Sequence, residues 1–93
     1  MVYRPTVHKL SPEQRRQIDE AIVQHIKDRP DATGAYSITV SVERQIGALL
    51  PPRPNDFYRY VDAGIQRLRR AGVIHWQRDT RGQVIWKLTE KEH

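Results

Sequence analysis

The chain has 93 residues, of which 38% are hydrophobic and 29% are charged, so it has room for one domain with a small core. It contains no cysteine, which excludes disulfide bonds and thiolate chemistry. No apolar run is long enough to cross a bilayer, and the first ten residues lack the apolar stretch of a secretory signal. Composition therefore predicts a cytoplasmic protein without a membrane partner.

The formal net charge is +5, and one third of the sequence carries most of it. Residues 53–81 contain seven basic and three acidic residues, whereas the rest of the chain is nearly balanced. Such a concentration is typical of a surface that binds a polyanion, although a merely solvated basic face has the same composition. All seven bases are arginines, whose planar guanidinium group binds phosphate or guanine edges through two hydrogen bonds. They are Arg53, Arg59, Arg67, Arg69, Arg70, Arg78 and Arg81.

The first predicted helix spans residues 12–28. Ser11 is a suitable N-cap, Pro12 suits the first helical position, and an acid follows in the first turn. Apolar residues then recur at helical spacing until the segment reaches Pro30. The sequence predicts one domain over residues 11–89, preceded by an N-terminal arm (1–10) and followed by a short polar tail (90–93).

A loop (30–35) and a short β-strand are predicted next, because residues 36–40 are rich in β-branched and aromatic side chains. Ser41 would then cap a second helix over residues 42–50, with its apolar residues, Leu49 among them, facing inward. The prolines that follow this helix prevent its continuation.

The third predicted helix covers about 55–71, with Asn55 or Asp56 as its cap and Gly72 as its end. Glycine in the middle of a helix is unfavourable, so Gly64 predicts that another helix crosses closely there. The predicted inward positions are Phe57, Val61, Gly64, Ile65 and Leu68.

A β-hairpin completes the predicted fold. Residues 73–78 and 84–88 have strand composition, and residues 79–82 (DTRG) supply a turn, in which Asp79 accepts local backbone hydrogen bonds. Trp76 and Trp86 lie on facing strands and are predicted to cover the core. A stacking platform for nucleic acid is the alternative for this pair.

The order helix, short strand, helix, helix, hairpin resembles that of the winged helix-turn-helix superfamily, and the resemblance covers nearly the whole chain. Residues 71–74 (AGVI) resemble the junction where a recognition helix passes into the wing. Asp79, Arg81, Leu88 and Thr89 are similar to a pattern in the wing of MarR-type regulators. The resemblance implies an α+β winged helix.

In that superfamily the third helix enters the major groove, and the resemblance implies the same for residues 55–71, with the wing (78–83) on the DNA backbone or minor groove. A helical projection also places four residues opposite the apolar face, where their chemistry suits base edges. These predicted base contacts are Arg59, Ala63, Gln66 and Arg70. The alternative is that any exposed helix face is polar.

Further contacts are predicted on the DNA backbone and at the wing. Arg44 and Gln45 are included because helix N-termini attract anions and both residues lie near the predicted start of the second helix. The predicted backbone contacts are Arg44, Gln45, Arg53, Tyr58, Arg67 and Arg69, and the predicted wing contacts are Arg78, Thr80 and Arg81.

The predicted function is sequence-specific binding of double-stranded DNA by a small transcriptional regulator, acting as a homodimer or with a partner protein. No catalytic residue, metal or cofactor is predicted, because the sequence contains no phosphate-binding glycine loop, no HExxH motif and no histidines at ligand spacing. Two alternatives remain open: a winged helix used as a protein-interaction module in a larger assembly, and a module that binds RNA.

Overall fold

The computed structural model describes residues 10–50 and 57–89, in which three helices are followed by a two-stranded antiparallel hairpin. The elements are helix α1 (Pro12–Asp28), helix α2 (Ala35–Ile46) with a 3-10 turn after it (Gly47–Leu49), helix α3 (Phe57–Arg70), and strands β1 (Ile74–Arg78) and β2 (Val84–Leu88). The α+β class is therefore confirmed. The polar tail and residues 1–9 of the predicted arm lie outside the described residues.

Helix α1 has the bounds that its sequence predicts, because its first turn is capped in both directions. The Ser11 hydroxyl accepts a hydrogen bond from the Gln14 backbone amide (3.1 Å), and the Gln14 side chain accepts one from the Ser11 amide (2.9 Å). This capping box satisfies two amides that a helix start leaves without partners.

Residues 36–40, predicted as a strand, are helical, and α2 begins at Ala35 rather than at residue 42. Ile38 and Val42, four residues apart, are both fully buried. Packing of this helical face outweighs the local preference of β-branched residues for strands. The Thr39 hydroxyl donates to the Ala35 carbonyl oxygen (2.8 Å), so the helix also satisfies a polar group. Because the helix ends at Ile46, Leu49 lies beyond it and is exposed, contrary to the prediction.

Helix α3 ends as predicted at Gly72, which adopts a positive φ of 77°. The Val73 amide donates to the Leu68 carbonyl (3.0 Å) and the Gly72 amide to the Arg69 carbonyl (3.0 Å). This pair of bonds is a Schellman motif, which needs a left-handed residue that glycine adopts without strain. The predicted caps Asn55 and Asp56 lie outside the described residues.

The core lies between the three helices and the base of the hairpin. Its fully buried side chains come from all three helices and from the first residue of β1. They are Ile18, Ile22, Ile38, Val42, Val61, Ile65 and Ile74, each with a relative exposure of 2% or less. Strands β1 and β2 pair antiparallel, with Ile74 opposite Leu88 and Arg78 opposite Val84. The hairpin is thus anchored at its base and extends away from the helices.

The segment between α1 and α2 holds the hairpin from a second side. The Trp86 amide donates to the Thr33 carbonyl oxygen (3.1 Å), and the Lys87 ammonium donates to the Pro30 carbonyl oxygen (3.0 Å). His25, which borders the core as predicted, forms a 2.7 Å hydrogen bond between its Nε2 and the Ala32 carbonyl oxygen. These contacts fix the hairpin relative to the helices.

Candidate nucleic-acid interface

One face of α3 is exposed along the whole helix. Burial alternates with helical period: the predicted inward residues Phe57, Val61, Gly64, Ile65 and Leu68 are all buried, together with Tyr60. The opposite side carries Tyr58, Arg59, Asp62, Ala63, Arg69 and Arg70, all exposed, and the half-buried Gln66. The four predicted base-contact residues therefore lie on one face, as the helical projection required.

Asp62 also lies on this exposed face, within one helical turn of Tyr58, Arg59 and Gln66. This carboxylate lies next to the four predicted base-contact residues, which themselves include no acid. Three exposed arginines still outnumber this single carboxylate on the helix face. The exposed face of α3 is therefore basic, with the carboxylate of Asp62 among its arginines.

Short-range contacts order two of these arginines. The Arg59 guanidinium lies 6.0 Å from the centroid of the Tyr58 ring, and its Nε approaches the Tyr58 hydroxyl at 3.5 Å. Arg69 donates from Nε to the Gln66 side-chain oxygen at 3.0 Å. That bond occupies one of the five N–H donors of Arg69. The face is therefore partly organised before any ligand binds.

Arg67 points instead toward α1. Its Nε and Nη2 donate to the two carboxylate oxygens of Asp19 at 3.1 and 2.8 Å, a bidentate ion pair between the two helices. Both side chains are largely shielded, with relative exposures of 31% and 24%. The phosphate contact predicted for Arg67 stays a prediction, and the structure gives this side chain a protein partner.

The remaining predicted backbone contacts do not gather on α3. Arg44 and Gln45 lie in the last turn of α2, so the prediction that they lie near a helix N-terminus is wrong. The cause is that α2 begins seven residues earlier than the sequence predicts. Gln45 donates to the Ser41 hydroxyl (3.1 Å) and approaches the Ala21 carbonyl (3.5 Å). Arg53 lies outside the described residues.

The hairpin turn is built around Asp79, as predicted. Its Oδ1 accepts hydrogen bonds from the backbone amides of Arg81 (2.8 Å) and Gln83 (2.9 Å). Gly82 adopts a φ of 81°, and Arg78 donates from Nη1 to the Gly82 carbonyl at 2.8 Å. Thr80 and Arg81 are exposed at the tip. The wing residues of the prediction therefore sit on a well-defined turn.

A groove of about 350 Å³ joins α3 to the hairpin. Its lining residues are Arg69, Trp76, Arg78, Val84 and Trp86. Trp76 and Trp86 are direct cross-strand partners, so their rings share one face of the sheet. Trp86 is 8% exposed, but Trp76 is 52% exposed, so the prediction that both rings cover the core is wrong.

The two strands differ in what lies beside them. Trp86 on β2 adjoins the segment between α1 and α2, where its amide donates to the Thr33 carbonyl oxygen, and its side chain is buried. Trp76, at the same level on β1, and Val84, one residue pair nearer the tip, are exposed, and neither was identified as a surface residue from the sequence. The signal that could have identified Val84 is its place beside the predicted turn.

Other cavities have a different character. One of them, of about 650 Å³, lies along α1 and the end of α3 and is lined by charges of both signs, including Arg16, Glu20 and Lys27. Within residues 10–50 and 57–89, no group of three or more metal-binding side chains occurs. Across the same two ranges, no helix combines the length and apolar character needed to cross a membrane.

Comparison with models of known protein families and with curated protein sequences gave no match to this chain.

Proposed function

We propose that this chain is a winged helix domain that binds double-stranded DNA, with α3 in the major groove and the β1–β2 hairpin against the adjacent backbone or minor groove. In this arrangement Arg59, Ala63, Gln66 and Arg70 face the base edges. The domain would act by occupancy of its site, as a small transcriptional regulator that excludes or recruits other proteins.

One observation carries the proposal: Arg69, on the exposed face of α3, lines the same groove as Trp76 and Arg78 of the hairpin. The helix face and the hairpin are thus parts of one surface rather than two separate sites. A duplex held by α3 would lie beside the hairpin, because a major groove is just wide enough for one helix and its flanking backbone is adjacent.

The charge distribution supports the same partner. Five exposed arginines lie on these two elements: Arg59, Arg69 and Arg70 on α3, and Arg78 and Arg81 on the hairpin. Arginine binds both phosphate oxygens and guanine edges in a planar, two-point geometry. If the domain neutralises four to six DNA phosphates, the logarithm of its association constant should fall by about 4 to 5 units for each tenfold rise in salt concentration.

The test is binding of the purified protein to random-sequence duplex DNA at several salt concentrations. The variant R59A/Q66A/R70A removes two positive charges and one amide from the exposed face of α3. We expect salt-dependent binding by the wild-type protein and loss of about tenfold or more in affinity for the variant, with a reduced salt slope.

The matched control is R16A/R29A, which also removes two positive charges. Both arginines are exposed, and they form surface ion pairs with Glu13 and Asp31, respectively. If binding depends on net charge alone, the two variants will lose affinity equally, and α3 has no special role. Absence of binding by the wild-type protein at low salt would overturn the proposal.

A protein-interaction module is the second candidate, and the exposure of Trp76 and Val84 favours it. These residues are 52% and 45% exposed and adjoin one another in the groove. Asp62 interrupts the basic face beside it. Exposed apolar patches of this kind mark interaction sites. A module of this type would fail to bind DNA at any salt concentration, whereas an RNA-binding module would prefer duplex or single-stranded RNA in the same assay.

A further inference from the structure

We infer that the groove between the hairpin and the end of α3 binds an unpaired nucleobase, with Trp76 as the stacking surface and Arg69 and Arg78 as the groups that hold the flanking phosphates. This inference rests on the proposed function, because it assigns a second binding element to the same DNA-facing surface. It implies that the protein prefers a duplex that contains unpaired bases to a fully paired one.

The first argument is the exposure of Trp76 itself. A tryptophan ring that is half exposed leaves a large apolar area in water, which is unfavourable unless a partner covers it. Trp86, its cross-strand partner, is buried, and its backbone amide donates a hydrogen bond to the Thr33 carbonyl oxygen, which fixes the hairpin to the segment between α1 and α2. Trp76 therefore sits on a rigid support with its ring available on the groove side.

The second argument is the charge around the ring. Among the described residues that line the groove, two are arginines and none is acidic. The hydrogen bond of Arg69 to Gln66 uses Nε, and that of Arg78 to Gly82 uses Nη1. Each guanidinium group keeps further N–H donors for a phosphate. An aromatic surface between two cations matches a nucleotide, which has a flat base and a negative backbone.

The third argument distinguishes an unpaired base from a paired one. Inside a duplex both faces of each base are covered by its neighbours, so an indole ring can reach only edges and sugars. A base that has left the stack offers its full face, and stacking on an aromatic side chain then stabilises it in the groove. The groove is open toward solvent, so a base that has left the stack can reach the Trp76 ring.

The test compares two duplexes of the same length and ends, one fully paired and one with a central bulge of unpaired thymines. We expect the wild-type protein to bind the bulged duplex about fivefold or more tightly than the paired one. In W76A the ratio of the two affinities should fall to about one. In W76F, which keeps an aromatic ring, part of the preference should remain.

The matched control is Y36A, which removes another exposed aromatic ring, 82% exposed, at the start of α2 and outside the groove. It should leave the preference unchanged. Fluorescence gives a readout that needs no destabilising variant: the bulged duplex should quench wild-type emission more than the paired duplex does. That difference should be much smaller in W76F, whose only tryptophan, Trp86, is 8% exposed.

Equal affinity for both duplexes, or a preference that survives in W76A, would overturn this inference and leave the proposed function standing. Failure of both duplexes to bind at low salt would overturn both. Quenching of Trp76 by an acidic peptide but by neither duplex would assign the groove to a protein partner and would also overturn the inference.

Discussion

Asp19 on α1 and Arg67 on α3 form a two-point ion pair, with N–O distances of 2.8 and 3.1 Å, that ties the exposed helix to the body of the domain. The pair is part-buried, and Arg67 lies one turn from Gly64, where α1 is so close that an added Cβ would lie 2.9 Å from Asp19 Oδ1. The orientation of the exposed α3 face thus depends in part on a contact made at its edge, against α1.

Removing this ion pair should destabilise the domain. We expect D19A and R67A each to lower the free energy of unfolding by about 1 to 2 kcal/mol, with a coupling energy of about 1 kcal/mol in the double-mutant cycle. Chemical denaturation of the two single variants and the double variant measures these values. The exposed pair of Glu13 and Arg16 is the comparison, and its coupling should be at most about 0.5 kcal/mol. A coupling near zero for Asp19 and Arg67 would contradict the role assigned to them.

Substitution of Gly64 by a larger residue should destabilise the domain, although glycine is itself unfavourable in a helix. A Cβ added there would lie 2.8 Å from Ile22 Cδ1 and 3.0 Å from Ile18 Cγ2. Replacing glycine by alanine in a helix normally raises the free energy of unfolding by about 1 kcal/mol. Because of this overlap, G64A should instead lower it by about 1 to 3 kcal/mol. The control is A63G at the neighbouring exposed position. Its free energy of unfolding should fall by about 1 kcal/mol, because glycine has a lower helix propensity than alanine. Thermal unfolding of both variants is the measurement, and a more stable G64A would disprove the close crossing.

The hairpin turn should depend on an oxygen acceptor at position 79. D79A leaves the Arg81 and Gln83 amides without their acceptor and should cost about 1 to 2 kcal/mol in unfolding free energy. D79N keeps one oxygen acceptor and should retain most of that stability. Because D79N also removes a negative charge beside the hairpin arginines, it should bind duplex DNA at least as tightly as wild type. Weaker DNA binding by a folded D79N protein would argue against placing the hairpin on DNA.

Substitution of Asp62 should strengthen DNA binding, whereas substitutions of the arginines should weaken it. If α3 faces DNA, this carboxylate opposes the phosphates, so D62N should raise the affinity for duplex DNA by about threefold or more at low salt. D31N, which makes the same charge change at an exposed position between α1 and α2, should have a smaller effect. Salt titrations of the two variants compare them directly. Equal gains for both would mean that only net charge matters.

The residues that could be predicted from sequence are those whose signals are local. The Ser11 N-cap, the glycine at the end of α3 and the aspartate in the turn each act within a few residues, and all three lie where the sequence predicts them. The apolar face of α3 was also predictable, because a strong helical period leaves one arrangement that buries Phe57, Val61 and Leu68 together. The four residues on the opposite face followed from the same period.

The errors occurred where the deciding contact is distant in sequence. Residues 36–40 have strand preference, and only the surface that α1 offers to Ile38 and Val42 makes the helix more stable. That error also misplaced Arg44 and Gln45, since it moved the predicted start of α2 by seven residues. Trp76 was assigned to the core together with Trp86, whereas only Trp86 is buried, on the strand that is bonded to the segment between α1 and α2.

Sequence alone therefore determined the caps, the turn, the helical period and the concentration of arginine in residues 53–81, because these depend on neighbouring residues or on composition. Tertiary structure alone decided that α2 is a helix from Ala35, that Arg67 faces Asp19, and that Trp76 and Arg69 line one groove. Each of these depends on packing between segments more than 20 residues apart or on the free volume beyond the core, and no local pattern encodes either one.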